Sequence, residues 1–146
     1  MQMKIYTSYF RNHRNLINDK ILPVGIAAHP PRWFKGPSYK SLAPRSEMLE
    51  YPAEKYDKEF RKILSLLNVA EVLKDLEVIS QGNPIALLCY EADRNKCHRL
   101  MVADWIERES GVVIPEYKGV KAFNLNSENT QGFSEFPGFS EAQKRE

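Results

Sequence analysis

The chain has 146 residues, 27% of them charged, and a net charge of +2. That length supports one domain with a real hydrophobic core. No apolar run approaches the roughly 18–20 residues of a membrane span, and the N-terminal MQMKIYTSYF lacks a signal peptide's apolar segment, so the expectation is a cytoplasmic protein with no membrane association. In a reducing compartment its two cysteines read as thiols rather than a structural disulfide.

The small net charge hides an asymmetry. Residues 1–46 carry eight basic side chains against one acid, a balance of +7, and residues 47–146 balance at −5. Tyr6, Tyr9, Phe10, Trp33, Phe34 and Tyr39 are interleaved with the basic residues. A basic, aromatic half suits an anionic and aromatic partner, a nucleotide or a nucleic acid. The competing reading is that these cations solvate loops.

Met3 to Ser8 is rich in strand formers and reads as a first strand, followed by a polar loop from Tyr9 to Arg14. Ile21 to Ala28 reads as a second strand, with Pro23 marking its start or an edge. His29 to Pro37 is a stiff, aromatic and basic loop. Glu54 to Leu67 has Tyr56, Phe60, Ile63, Leu64 and Leu67 on one helical face. Helix continues or restarts from Asn68 to Leu76, Val78 and Ile79 read as a short separate element, and Gln81 to Pro84 is a turn by composition.

Ile85 to Tyr90 is apolar throughout, the pattern of a central strand of a parallel sheet buried on both faces. Lys96 to Ser110 then reads as a helix, with Asn95 as N-cap, Gly111 as stop, and an apolar face through Cys97, Leu100, Met101, Trp105 and Ile106. Val112 to Tyr117 reads as a last strand, placed at an edge by Pro115. The composition turns polar from Lys118, where Gly132-Phe133-Ser134-Glu135 recurs as Gly138-Phe139-Ser140-Glu141. The expected organisation is an α/β domain over 1–117 and a polar, Phe-containing tail over 118–146. Its architecture is a single-domain, three-layer sandwich on a mostly parallel sheet.

In open α/β sheets ligands bind beyond the carboxyl ends of the strands. Cys89, Tyr90, Glu91, Cys97, His98 and Arg99 fall in or beside that zone. The arrangement Leu87-Leu88-Cys89-Tyr90-Glu91 followed by Cys97-His98-Arg99 resembles the domain-of-unknown-function family 488. That family's hallmark is a hydrophobic strand ending in Cys, an acidic loop, then Cys-His-Arg. The resemblance spans roughly residues 3–115 and implies a fold and a site. In the wider family the first strand ends in a Thr and a small polar turn near the site, which Thr7 and Ser8 match, with bulky Tyr9 and Phe10 in place of the usual glycine. Leu42-Ala43-Pro44-Arg45-Ser46 and Glu50 to Phe60 are similar to one branch of the family. Most members carry an Asp and an Arg at the end of the second strand, where this chain has Gly25-Ile26-Ala27-Ala28 without either charge.

The residue types suit group transfer or hydrolysis at an anionic substrate. A thiol at a helix start beside a cation loses its proton readily, which points to Cys97, with Cys89 nearby. His98 can move a proton near neutral pH, and Glu91 can act as a base or hold a hydroxyl. Arg99 can clamp a phosphate, with Asn95, Thr7, Ser8, Arg11, Arg32, Trp33 and Lys35 as further ligand-binding candidates. Successive helical residues turn by about 100°, so Cys97, His98 and Arg99 cannot all face one point of a regular helix.

Packing is the competing role for both cysteines, capping or core bonding for His98, and an ion pair for Arg99. No metal or other cofactor is expected: Cys89, Cys97, His98 and His29 are zinc-ligand types but lack a close CxxC pair. The leading function is an anionic, nucleotide-like or nucleic-acid ligand bound in a basic aromatic cleft, with hydrolysis or transfer at that site. The alternatives are a non-catalytic nucleic-acid or protein-binding adaptor and a thiol redox protein.

Overall fold

The computed structural model describes residues 3–90 and 98–118. Three parallel strands, β1 (Ile5–Tyr9), β2 (Leu22–Gly25) and β3 (Ile85–Cys89), form one sheet in the order β1-β3-β2. Helix α1 (His13–Asn18) lies between β1 and β2, α2 (Ala53–Ser65) and α3 (Val69–Ser80) between β2 and β3, and α4 (His98–Ser110) after β3. This is the expected single-domain α/β fold. The expected tail lies outside the described residues beyond Lys118.

β3 is buried at all five positions, as its unbroken apolar run requires. Its side chains alternate between two cores. Ile85 and Leu87 share one with Ile5, Leu22, Val24, Phe60 and Leu64 of α2, Val72 and Leu76 of α3, and Val102, Trp105 and Ile106 of α4. Ala86 and Leu88 share the other with Phe10, Leu16 of α1, Phe34 and Tyr117. Helices therefore cover one face of the sheet, and α1 with the aromatic loop covers the other.

Several boundaries differ from the sequence reading. Phe10–Asn12 is a 3-10 turn leading into α1, where a loop was expected. Phe10, His13, Leu16 and Ile17 are buried there, and burial rather than helix propensity makes the segment helical. The second strand stops at Gly25, and Gly25 bridges to Ser38 as the chain folds back. A Cβ on Gly25 would sit 3.3 Å from both the Phe34 ring and Ser38 Oγ, so the bare backbone lets the aromatic loop close on the sheet. Val78 and Ile79 belong to α3. The expected last strand reduces to one parallel bridge, Thr7 to Glu116, in which Thr7 N donates to Pro115 O and Tyr117 N to Thr7 O. Pro115 has no N–H to extend the ladder.

The helix ends follow their capping chemistry. Asn68 Oδ1 accepts from Ala70 N at 2.9 Å and Glu71 N at 3.1 Å, separating α3 from α2. Gly111 takes the left-handed φ of +83° that ends α4. Replacing Asn68 with Ala should cost about 1 kcal/mol, and Asn68→Asp should retain most of the stability. Urea unfolding midpoints at constant slope would check this.

Candidate functional site

The carboxyl ends of the strands converge on a wall of aromatic rings. The chain leaving β1 covers one face of the sheet through Phe10 and Leu16, and the helix after β3 covers the other. Adjacent strands whose connections depart to opposite faces leave a crevice between their ends. Here that crevice lies between Tyr9 and Phe10 on one side and Tyr90 on the other. A cavity of about 400 Å³ opens there, lined by Tyr9, Phe10, Arg11, Pro31, Trp33 and Tyr90. The Phe10 ring is 5.1 Å from that of Tyr90 and 6.3 Å from that of Trp33, and the buried His13 ring stands 5.3 Å from Trp33.

Tyr90 also lines a larger cleft of about 910 Å³, with Ala27, Ala28, His29, Tyr51, Tyr56, Asp57, Cys89, His98, Leu100 and Met101 on its walls. Its hydroxyl donates to the His29 carbonyl at 2.5 Å, which fixes the ring as a partition although the residue is 53% exposed. His29 itself is exposed and bonds Ser46 Oγ at 2.7 Å. Lys55 Nζ lies 4.2 Å from the centre of the Tyr51 ring, at the edge of this cleft.

His98 and Arg99 open α4 and diverge, as helical geometry demands. The His98 ring packs edge-on against Phe60 at 5.0 Å, and its Nε2 donates to the Ile26 carbonyl at 2.8 Å. A carbonyl only accepts, so the proton is on Nε2. Burial pushes the imidazole pKa down to about 4; the bond to Ile26 opposes this, and the neighbouring Arg99 charge adds to it. His98 is therefore neutral at pH 7, and it reaches the cleft with one ring edge committed to the fold.

Arg99 is 0% exposed. Its Nε and Nη2 donate to the two carboxylate oxygens of Glu116 at 3.0 and 2.7 Å, and its Nη1 to Cys89 Sγ at 3.2 Å. Thr7 Oγ1 donates to the same carboxylate at 2.7 Å. Two candidate anion binders, Arg99 and Thr7, thus share an internal anion. The guanidinium also stacks 5.8 Å from the Tyr9 ring, which connects this network to the small cavity. Ser8 is buried and accepts from Asn12 Nδ2 at 3.0 Å.

The structure thus brings Arg11 and Trp33 together, and Cys89 with His98. It does not bring Arg32 or Lys35 into either cavity lining; both are exposed on the rim loop. Glu91, Asn95 and Cys97 lie outside the described residues. The expectation of two thiols is corrected at Cys89, which is disulfide-bonded and buried. Among the described residues no three His, Cys, Asp or Glu side chains cluster as metal ligands would, and no helix is long and apolar enough to cross a membrane.

Sequence reasoning missed Glu116, and it placed Tyr90 in the ligand zone without a specific contact. The available signal for Glu116 was a single acid in the otherwise apolar VVIPEY, together with the need of any buried arginine for a counter-charge. For Tyr90 it was an aromatic at the mouth of the central strand.

A family model described as the active DUF488-N3 subclade matches residues 7–110. No curated protein and no solved structure matches the chain.

Removing one partner of a buried ion pair strands the other charge. Glu116→Gln should therefore destabilise the protein by about 3 kcal/mol, and Thr7→Val by about 1 kcal/mol, in equilibrium unfolding. His98 gives a pH dependence whose sign is fixed. Its folded pKa lies below its ordinary value of 6.5, so its contribution is complete above pH 6.5 and is lost as pH falls towards 4. The loss should reach at most about 3 kcal/mol. The part due to His98 should be missing from the stability–pH profile of His98→Gln.

Proposed function

The chain belongs to the active DUF488-N3 subclade, and on that premise we propose that it binds a nucleotide-like anionic ligand in the crevice between β1 and β3, with hydrolysis or group transfer in the cleft beside it. The observation that carries this reading is the small cavity. Four aromatic residues, Tyr9, Phe10, Trp33 and Tyr90, surround a space whose one charged lining residue is Arg11. Flat aromatic walls suit a base, which stacks on any of them, and a guanidinium at the mouth suits its phosphate. The +7 balance of residues 1–46, which supply five of the six lining residues, draws an anion to that side of the molecule.

A reaction is supported by the subclade's description as active and by the neighbouring cleft, where Cys89 and His98 line one wall. A neutral imidazole held in one tautomer positions a substrate group rather than carrying charge to it. From the sequence, Glu91 is added to this set; with Cys89 in a disulfide, a thiol nucleophile is not part of the proposal. The Arg99 guanidinium acts in this proposal through Tyr9, by holding one wall of the base cavity.

The test is titration of a nucleoside monophosphate at low salt, followed by fluorescence. Trp33→Ala should weaken binding by about 1–3 kcal/mol. Arg11→Ala should weaken it and flatten its salt dependence. Absence of binding at low salt, or affinity indifferent to Trp33, would refute the assignment. Turnover of the bound nucleotide separates an enzyme from an adaptor that only retains it.

A further inference from the structure

Tyr90 divides two cavities that open at the same end of the sheet, and the two differ in character. The smaller has aromatic walls and one cation, its neutral polar groups being the tyrosine hydroxyls and the Trp33 indole N–H. The larger, at about 910 Å³, has more than twice the volume and carries Asp57, His29, Tyr51 and Tyr56. Ligand sites span roughly 300–1,000 Å³, so each is large enough to hold a ligand group of its own. One base in the small cavity leaves room for a second base in the larger one.

We propose that the ligand is a single-stranded nucleic-acid segment, with one base in each cavity and the Tyr90 ring held between them. This rests on the nucleotide reading above and extends it to the substrate class. Three observations carry it. First, Tyr90 is 53% exposed yet anchored, its hydroxyl spent on the His29 carbonyl. An aromatic fixed in that way is an ordered wedge rather than a mobile side chain, and it separates neighbouring bases at little entropic cost. Second, the larger cleft has its own aromatic wall, Tyr51, with the Lys55 ammonium over the ring at 4.2 Å. A cation beside an aromatic face is the pairing that a base and its phosphate require. Third, Arg32 and Lys35 flank Trp33 in sequence and are exposed, outside both linings. They offer contacts to further phosphates that a mononucleotide cannot fill.

The two cavities should then read the strand differently. Stacking tolerates any base, so the small cavity is indifferent to sequence. Asp57 accepts hydrogen bonds, so the larger cavity favours a base with an exocyclic amine, cytosine, adenine or guanine, over thymine.

The experiment compares one nucleoside monophosphate, a dinucleoside pyrophosphate, and single-stranded di- and tetranucleotides with the intact protein at one low salt concentration. Affinity should rise about 5- to 100-fold from mononucleotide to dinucleotide, the range one further stacked base supplies. It should rise again for the tetranucleotide, with a steeper salt dependence. A duplex of the same sequence should bind more weakly than the single strand. Tyr90→Ala should remove most of the gain from the second base, and circular dichroism verifies that the variant is folded. Tyr51→Ala, at a partly buried residue just before α2, should lower the ratio of dinucleotide to mononucleotide affinity independently. Equal affinity for mononucleotide and oligonucleotides would overturn this proposal and leave the nucleotide reading standing. A dinucleoside pyrophosphate bound as tightly as the tetranucleotide would overturn the strand in favour of a small dinucleotide. No binding of any of them would overturn both.

Discussion

The central strand has neither an exposed face nor an open edge, and the rest of the structure answers to that. β3 pairs with β1 along one edge and β2 along the other, and all five of its side chains are buried. Burying one large aliphatic side chain contributes about 1.5–3 kcal/mol, so Ile85, Leu87 and Leu88 together supply a large part of a small domain's stability. Both faces of that strand must then be covered. The chain covers one with three helices and the other with α1 and the Phe10–Phe34 cluster. Because these coverings leave the strand ends in opposite directions, a crevice opens where they part, and the aromatic cavity occupies it.

At the start of α4 the chain buries two polar residues side by side and satisfies them in different ways. His98 gives up its charge and donates to a backbone carbonyl, whereas Arg99 keeps its charge and takes a carboxylate. A neutral imidazole costs little to bury once hydrogen-bonded, but a guanidinium needs a full counter-charge. Glu116 supplies it, and because Thr7 shares the carboxylate, the pair also joins β1 to the segment after α4. Arg99 Nη1 at 3.2 Å from Cys89 Sγ brings β3 into the same network.

Much of this fold is visible in the sequence, for identifiable reasons. Ile85 to Tyr90 is an unbroken apolar run of strand length, and the face through Phe60 and Leu64 repeats at helical spacing. Asn68, Gly111 and the turn at Gln81-Gly82 mark their ends by local chemistry. The misses are tertiary. Helix α1 is a six-residue piece stabilised by the burial of Leu16 and Ile17, which no local window contains. The polar start of α4 reads as surface because a buried arginine looks like any other until its partner, 17 residues on, is known. Among the candidate site residues, the sequence groups Trp33 with Arg32 and Lys35, whereas the small cavity sets it beside Arg11. Tyr90 falls in the ligand zone by sequence, but its bond to the carbonyl of His29, 61 residues away in the chain, is not visible there.

The carboxylate of Glu116 has a consequence for where this domain ends. The family's shared pattern closes at residue 110, six residues short of it. A chain cut at that border would keep every residue the family model recognises and lose a carboxylate paired with a fully enclosed cation, together with the backbone bridge to Thr7. Its Ala86–Leu88 core would also lose the Tyr117 ring, which stands edge-on to Tyr6 and is tethered to Asp19. The unit that folds is therefore longer than the unit that is recognised, and a boundary drawn by likeness alone would cut through the charge balance of the interior.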